Sequence, residues 1–301
     1  MNPPKVSVIV PSYNKPEYLP ECLRSVQAQT FTDWECIVVN DGSPRADEIR
    51  AAVAAMNDPR FRLVGHATNQ GPAAARNTGV REARSDCFLW LDEDDLLVET
   101  CLERTLAVME STGAEIVRPH IQTTEGTVLK RLVAPDARRV LVNPGLHSVG
   151  FLFRKSVYQK AGELDEAKDL YWGLEDIEWW IRVIYSGVRI HIMDDVLYVY
   201  RPAQGAELQA RSQHLRGMRN ARTITRYIVA KHREKYRLFP RERRQFLERG
   251  CHLELMSALA EGHPKQALVI SLEQLWIHPT LRNLRLSFGL LVRTLRNRLK
   301  C

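Results

Sequence analysis

Short apolar runs and segments with helical spacing alternate four times between residues 6 and 110. The runs are rich in β-branched residues, as buried strands are. The four predicted strands cover 6–10, 34–39, 61–64 and 87–91, and the four predicted helices cover 17–29, 46–56, 73–83 and 96–110. Such alternation is typical of βαβ units. We therefore predict an α/β fold with a mostly parallel central sheet.

A polar cluster follows each predicted strand directly. The four clusters are Ser12-Tyr13-Asn14, Asn40-Asp41-Gly42-Ser43, Asn69-Gln70-Gly71 and Asp92-Glu93-Asp94-Asp95. In open sheets of this kind, ligands bind beyond the carboxyl ends of the strands. The sequence therefore predicts one binding site, built where these clusters meet. Because GxGxxG and GxxxxGK[ST] patterns are absent from the sequence, neither a dinucleotide fingerprint nor a P-loop is indicated.

The run of four acids at 92–95 is the sharpest chemical feature. Neighbouring carboxylates repel one another, and Mg²⁺ or Mn²⁺ is a suitable counter-charge because both prefer oxygen ligands. Asp92 and Asp94 are two residues apart, so they face the same side of an extended backbone. The alternative is a solvated loop in which Asp95 caps a helix over 96–110.

Asp41 and Arg76 are candidates for contacts to a nucleotide. Asp41 can accept a hydrogen bond from a base N–H, although Asp41 to Ser43 also fits a simple turn with Ser43 as an N-cap. Arg76 follows a run of alanines at a predicted helix start, where it can pair with phosphate or contact the nucleoside. A surface ion pair is the alternative interpretation of Arg76.

Glu175 and Asp176 open a predicted helix over 175–186. Acids are favoured in a first helical turn by the helix dipole, and a base near an acceptor hydroxyl is the functional alternative. The two residues Trp179 and Trp180 on the same helix are expected to pack in the core.

The order of these motifs resembles the family 2 glycosyltransferases with the GT-A fold, which build bacterial surface polysaccharides. The resemblance covers about residues 5–205 and ends with Tyr200-Arg201. It implies a GT-A domain over 1–205, with a nucleotide-sugar half at 5–112 and an acceptor half at 113–205. A basic helical extension then occupies 206–301.

The resemblance also implies an activity and residue roles. The activity is inverting transfer of a sugar from a nucleotide diphosphate donor, a UDP-sugar, to a hydroxyl of a saccharide or lipid-linked acceptor, with Mn²⁺ or Mg²⁺ as the metal. The implied donor-site residues are Pro11 and Tyr13 beside the base, Asp41 on the uracil N–H, Arg76 beside the nucleoside, and Asp92 with Asp94 as the D-x-D pair for ribose, metal and diphosphate. Asp95 is a weaker candidate. Asp176, with Glu175 as its neighbour, matches the catalytic acid pair.

Two departures from the family pattern concern the site. The family often has a second aspartate where this chain has Asn40. A histidine that helps the metal often follows the Tyr-Arg pair, but here Arg201 is followed by Pro202. Either His214 completes the metal shell, or the protein holds the metal more weakly and phosphate completes the shell.

The charge is divided unevenly along the chain. Residues 211–301 contain 20 Lys and Arg against 6 Asp and Glu, whereas residues 1–210 contain 23 against 30. The segment 281–300 is amphipathic and basic, so it is either an interfacial helix on an anionic membrane or a packed helix with a solvated basic face. Without a recognised nucleic-acid module, we expect no nucleic-acid partner. The alternative function is an inactive GT-A-fold binding protein that acts through this basic region.

The cysteines and the apolar segments bear on the cellular compartment. Six cysteines are scattered without a C-x-x-C pair, which suits a reducing compartment. There is no apolar run long enough to span a membrane and no signal-peptide pattern. We therefore expect a cytoplasmic protein, with peripheral contact at the inner face of the cell membrane as the remaining possibility.

Overall fold

The computed structural model describes residues 3–129, 136–142, 149–167, 175–202, 219–280 and 283–290. The chain forms two compact units. The first comprises Met1–Pro135, Gly145–Glu166 and Glu178–Gln204, and the second comprises Asp136–Pro144, Ala167–Ile177 and Gly205–Cys301. Two short stretches before residue 205 therefore group with the C-terminal segment rather than with the sheet.

An eight-stranded sheet organises the first unit. Its strands are β1 (Val6–Ser12), β2 (Trp34–Asp41), β3 (Phe61–His66), β4 (Cys87–Trp90), β5 (Leu96–Leu97), β6 (Ile116–Thr123), β7 (Leu152–Arg154) and β8 (Ile190–Tyr200). They lie in the order β3-β2-β1-β4-β7-β6-β8-β5. Strands β1 to β4 are mutually parallel, whereas β7 is antiparallel to both of its neighbours. The predicted α/β fold with a mostly parallel sheet is confirmed.

Six helices accompany the strands, and the first three connect the parallel strands β1 to β4, as βαβ units require. They are α1 (Leu19–Gln27), α2 (Ala46–Ala54), α3 (Pro72–Glu82), α4 (Cys101–Thr112), α5 (Ser156–Ala161) and α6 (Glu175–Tyr185). Helix α3 lies very close to β1, because a Cβ at Gly79 would be 2.1 Å from Cγ2 of Ile9. Only glycine permits this approach.

Strand β1 continues through Pro11, where the sequence predicted that it would end. The backbone carbonyl of Ile9 accepts a hydrogen bond from Leu91 N, so Ile9 faces β4. Pro11 faces the same way, but the pairing with β4 has ended by then. The missing N–H of Pro11 therefore costs no ladder hydrogen bond, and the pairing with β2 continues to Ser12.

The predicted helix over 96–110 is wrong at its start. Leu96–Leu97 form the edge strand β5, which pairs with β8, and the helix begins only at Cys101. Residues Ile190–Tyr200 form the single strand β8. Strand β8 offers β5 a partner, and this long-range pairing outweighs the local helical spacing.

Aromatic side chains fill the core beside β4 and β7. Trp179 and Trp180 are fully buried, and their rings pack with those of Trp90, Phe151 and Phe153. The expectation that these two tryptophans pack in the core is confirmed.

The second unit is helical in its described part. Its helices are α7 (Ala221–Lys231), α8 (Arg233–Leu238), α9 (Pro240–Ala260) and α10 (Pro264–Ile277), followed by a helical segment at 283–290. Residues 261–263 connect α9 to α10, and these two helices pack against each other. Of the predicted segment 281–300, residues 281–282 and 291–300 lie outside the described residues. None of the helices in the described ranges has both the length and the apolarity of a membrane span.

Candidate functional site

The carboxyl ends of β1 to β4 meet at one edge of the sheet, because these four strands are parallel neighbours. Hydrogen bonds join the polar clusters that follow them. They run from Tyr13 N to Glu93 Oε1 (3.0 Å), from Ser12 Oγ to Glu93 Oε2 (2.5 Å), from Asn14 N to Ser43 Oγ (3.2 Å) and from Gln70 N to Asp41 Oδ1 (2.9 Å). The predicted convergence of these clusters on one edge is confirmed.

The four acids at 92–95 divide into two exposed and two buried carboxyls. The side chains of Asp92 and Asp94 are 37% and 26% exposed. Glu93 and Asp95 are only 7% and 1% exposed. These residues form a turn closed by a hydrogen bond from Asp95 N to Asp92 O (3.0 Å), so the extended backbone expected from the sequence is wrong, but the turn still leaves the side chains of Asp92 and Asp94 partly exposed. Asp92 and Asp94 are therefore the two acids that a ligand can reach.

The two buried acids, Glu93 and Asp95, accept hydrogen bonds from neighbouring segments of the protein. Burial raises the pKa of Glu93 to about 7, although Ser12 and Tyr13 donate hydrogen bonds to it. Burial and the charge of Asp92 raise the pKa of Asp95 well above its usual range. Asp95 accepts hydrogen bonds from Tyr198 Oη (2.6 Å) and Arg201 N (2.9 Å). It thus ties the acid loop to the end of β8, and its proposed role as a helix cap is wrong.

Two cations offset the exposed acids. Arg76, nearly buried, pairs with Asp92 at 3.0 Å. Lys15 Nζ lies 2.5 Å from Asp94 Oδ2. Burial lowers the pKa of Lys15, but the negative charges of Asp94 and its neighbours raise it by more. Sequence reasoning missed Lys15, because its separation of 79 positions from Asp94 leaves no local pattern.

Asp92 and Asp94 provide the kind of oxygen ligands that Mn²⁺ or Mg²⁺ prefers. Within the described ranges, no three or more His, Cys, Asp or Glu side chains gather around one point as a metal cage would require. Two accessible carboxylates still fit an ion that takes one or two protein ligands and completes its shell with phosphate and water. His214, the alternative ligand, lies outside the described residues.

Asp41 organises the neighbouring loop. Its buried carboxylate accepts hydrogen bonds from Gln70 N (2.9 Å) and Gly71 N (2.8 Å). Nδ1 of His66 lies 2.7 Å from Asp41 Oδ1, and Nε2 of the same ring lies 2.9 Å from Thr78 Oγ1. Asp41 therefore supports the loop that leads into α3. Sequence reasoning missed both this role and His66.

Gly42 allows the loops after β2 and β3 to touch. Its φ is +64°, and a Cβ there would lie 2.3 Å from the carbonyl carbon of Thr68. Any other residue would be strained and would push the loops apart. Ser43 does not cap α2, whose N-cap position is Arg45. The Oγ of Ser43 instead accepts a hydrogen bond from Arg45 N at 3.0 Å, as in a turn.

Pro11 and Tyr13 lie at the end of β1 on the same edge. Pro11 is half-buried and Tyr13 is 45% exposed. The backbone of Tyr13 is held by Glu93, whereas its ring remains accessible to a planar ligand.

Asn77, next to Arg76, fixes a distant segment of the first unit. Its side-chain nitrogen donates to Leu164 O (2.9 Å) and to Glu166 Oε1 (2.8 Å). Its side-chain oxygen accepts from Tyr158 Oη (3.1 Å) and Leu164 N (3.0 Å). The Arg76-Asn77 pair thus combines a site cation with a structural amide.

Glu175 and Asp176 begin α6 as predicted. These two residues belong to the second unit, and Asp176 is half-buried. Burial lowers the pKa of Arg249 in the same unit, and the charge of Asp176 opposes that shift. The structure thus brings together six predicted site residues in the first unit and places the predicted base in the second. The six residues are Pro11, Tyr13, Asp41, Arg76, Asp92 and Asp94.

Solved structures similar to this chain share its fold. The structure of S. aureus TarS 1-349 in complex with UDP-GlcNAc matches 91% of this chain and 82% of that chain with a TM-score of 0.64 at 19% identity. Mannosyltransferase PcManGT from Pyrobaculum calidifontis, in complex with GDP-Man and Mn²⁺, matches 97% of this chain and 86% of that chain with a TM-score of 0.57 at 20% identity. The fold is the GT-A fold that the motifs implied.

Sequence comparison also identifies relatives of this chain. The uncharacterized glycosyltransferase EpsJ of Bacillus subtilis is 32% identical over 215 residues, which cover 66% of this chain and 61% of EpsJ. The succinoglycan biosynthesis protein ExoO of Rhizobium meliloti is 32% identical over 164 residues, which cover 51% of this chain and 47% of ExoO. This chain thus spans less than two thirds of either relative. The model of glycosyl transferase family 2 matches residues 7–160, and the chain belongs to that family.

Proposed function

We propose that this protein is an inverting glycosyltransferase that moves a sugar from a nucleotide diphosphate donor to an acceptor hydroxyl. One observation carries the proposal. The two accessible acids Asp92 and Asp94 lie at the carboxyl edge of the parallel sheet, each beside a cation. Parallel sheets bind nucleotides at this edge, and paired charges of both signs suit a metal-bound diphosphate.

The donor is a UDP-sugar in this proposal. Tyr13 and Pro11 contact the base, Asp41 accepts a hydrogen bond from the uracil N–H, and Asp92 contacts the ribose. A similar solved structure, TarS, is described with UDP-GlcNAc, which supports a uridine donor. The donor half is assigned to residues 5–112 and the acceptor half to 113–205.

Asp94, with Asp92, would hold Mn²⁺ or Mg²⁺ together with the diphosphate. When bound, the ion would stabilise negative charge on the leaving diphosphate. Mn²⁺ in the PcManGT complex supports a divalent metal. Arg76 and Lys15 add positive charge to the same region, so the protein's own cations also stabilise that leaving group.

Asp176 is the proposed base. The acceptor oxygen attacks the anomeric carbon on the face opposite the diphosphate, while the bond from that carbon to the diphosphate oxygen breaks. The bonding electrons leave with the diphosphate, and Asp176 takes the acceptor proton. A single displacement of this kind inverts the anomeric centre. Glu175 precedes Asp176 and completes the proposed acid pair.

The acceptor belongs to surface polysaccharide or glycolipid synthesis in this proposal. The similarity to ExoO, a succinoglycan biosynthesis protein, supports a saccharide acceptor. We also infer a cytoplasmic location, as the cysteine pattern predicts. Residues 206–301 form the proposed basic extension.

Calorimetric titration of UDP, GDP and dTDP, each with and without Mn²⁺, tests the donor site. UDP binding that requires Mn²⁺ and collapses in Asp94→Ala is the expected result. Asp47→Ala is the control, because Asp47 is an arginine-paired surface acid with a 93% exposed side chain. Tighter binding of GDP than of UDP would overturn the uridine assignment. If no nucleotide binds under any condition, the alternative of an inactive binding protein is favoured.

A further inference from the structure

Helix α10 exposes an apolar stripe to solvent. Val269, Leu272 and Trp276 are 61%, 52% and 85% exposed. Their spacing of three and then four residues places them on one helical face. Exposed Lys265 extends this face by one turn toward the helix start. A large aromatic ring this exposed beside two aliphatic side chains marks an interaction surface.

Arginines flank a groove beside this stripe. The groove is open, has a volume of about 660 Å³, and is lined by Trp276 together with Arg226, Arg233, Arg237 and Arg243. The side chains of Arg226, Arg233 and Arg237 are 60%, 68% and 60% exposed. The cationic groups therefore remain in water around an apolar floor.

Few acids oppose these arginines. Among the described residues, Glu273 is the single acid lining the groove, and it pairs with Arg222 and Arg226. Glu234 lies 3.1 Å from Arg237 and 3.9 Å from Arg233, in exposed pairs that solvent screens. The groove therefore has a net positive charge, in keeping with the basic balance of residues 211–301.

We propose that the α10 stripe and the arginine-flanked groove bind the surface of an anionic membrane. Tryptophan and aliphatic side chains insert at the boundary between headgroups and acyl chains, while arginines pair with lipid phosphates. A nucleic acid would use the arginines but not the aliphatic part of the stripe. This surface lies on α7, α8, α9 and α10, so it differs from the amphipathic segment 281–300, and it goes beyond the proposed donor site.

Vesicle co-sedimentation of the full chain tests the proposal. The probes are vesicles of phosphatidylcholine alone and of equal parts phosphatidylcholine and phosphatidylglycerol, with no nucleotide present. Binding to the anionic vesicles only is expected. Arg233→Glu with Arg237→Glu, and separately the triple variant Val269→Ser, Leu272→Ser and Trp276→Ser, should each weaken it roughly tenfold or more. All five side chains are exposed, so these variants should fold.

The matched control reverses the same charges elsewhere. Arg50→Glu with Arg81→Glu changes two exposed arginines of the first unit, whose side chains are 68% and 52% exposed. Vesicle binding by this control should equal that of wild type. Calorimetry with UDP and Mn²⁺ on all variants measures nucleotide binding independently of vesicle binding. Failure of the donor-site proposal can therefore be distinguished from failure of the membrane-binding proposal.

Trp276→Phe localises the contact. Among the tryptophans of the described residues, Trp34, Trp90, Trp179 and Trp180 are buried, so in a Trp172→Phe background, which removes the one tryptophan outside those residues, Trp276 should dominate any blue shift of tryptophan fluorescence on vesicle addition. The variant should still sediment with vesicles but lose the shift. The proposal is overturned if the arginine double variant and the triple variant both bind anionic vesicles as wild type does, or if wild type binds no anionic vesicles. It is also overturned if the triple variant abolishes self-association instead, or if wild type binds polyuridylate but not vesicles.

Discussion

Lys15 donates a hydrogen bond of 2.5 Å from Nζ to Oδ2 of Asp94, the acid to which we assign the metal. The ammonium therefore lies where a divalent cation would approach the carboxylate. The lysine comes from the loop after β1 and the acid from the loop after β4. In the proposed donor complex, a metal on Asp94 would displace Lys15 from this carboxylate, and the diphosphate would offer the ammonium a new partner.

We expect Lys15→Met to raise the affinity for Mn²⁺ in the absence of nucleotide, because the competing cation is gone. Coulomb's law with the screening of a half-exposed pair gives roughly a threefold to tenfold effect. Electron paramagnetic resonance of free Mn²⁺ measures it. Lys160→Met is the control, because Lys160 lies 2.6 Å from Glu115 and has a 45% exposed side chain, against 44% for Lys15. Unchanged or weaker Mn²⁺ binding in Lys15→Met would argue against Asp94 as a ligand.

We expect Asp41→Asn to lower the free energy of unfolding by about 2 kcal/mol, because an amide cannot accept all the hydrogen bonds that Gln70, Gly71 and His66 direct at the carboxylate. Urea unfolding measures the change. Asp58→Asn is the control. Asp58 likewise accepts hydrogen bonds, from the backbone and guanidinium of Arg60, but it has no assigned contact with the base, so this variant should change stability alone. A stability equal to that of wild type would show that Asp41 does not support the loop.

The proposed contact of Asp41 with the base needs a separate measurement. Wild type should bind UDP more tightly than N3-methyl-UDP, which lacks the N–H donor, and Asp41→Asn should discriminate less. Asp58→Asn should retain the full preference. Equal affinity of wild type for the two nucleotides would exclude the hydrogen bond to the base.

The carboxylate of Glu35 should make the free energy of unfolding depend on pH in the acid range. Its buried carboxylate accepts hydrogen bonds from Ser7 Oγ (2.7 Å) and Arg84 N (2.8 Å). Burial raises the pKa of Glu35, but hydrogen bonds from Arg84 and Ser7 and the charge of Arg62 lower it by more. Because the folded pKa lies below the unfolded one, this stabilisation is present above about pH 4.5 and is lost as the pH falls further.

We therefore expect the free energy of unfolding of wild type to fall more steeply below pH 4.5 than that of Glu35→Gln. At pH 7 the variant should be less stable by about 3 kcal/mol, because it leaves buried charge-assisted hydrogen bonds unmade. Urea unfolding at neutral and acid pH measures both effects. If the free energy of unfolding changed with pH in the same way for both proteins, Glu35 would not be the source of the pH dependence.

We expect Asp176→Asn to keep UDP binding and to lose transfer by roughly 100-fold to 10,000-fold, because only proton removal needs the carboxylate. Calorimetry measures the first property, and release of UDP from a UDP-sugar in the presence of acceptor saccharides measures the second. Glu163→Gln, which changes a half-exposed acid of the first unit, should transfer as wild type does. Turnover like that of wild type in Asp176→Asn would remove the proposed base.

The sequence determined where the polar clusters come together. Alternating strands and helices force a parallel sheet, and parallel strands place all their carboxyl ends at one edge. The positions of Tyr13, Asp41, Arg76 and the acids at 92–95 on this edge follow from connectivity alone.

Only the tertiary structure decided what these groups touch. Lys15 meets Asp94 and Tyr198 meets Asp95 across separations of 79 and 103 positions, so no local spacing signals either contact. The same long-range pairing made Leu96–Leu97 a strand beside β8 instead of the start of a helix. Periodicity reports which face of an element is buried, whereas the partner on that face depends on how distant elements pack. The acid run and Arg76 were therefore readable from the sequence, whereas the pairing of Lys15 with Asp94 was not.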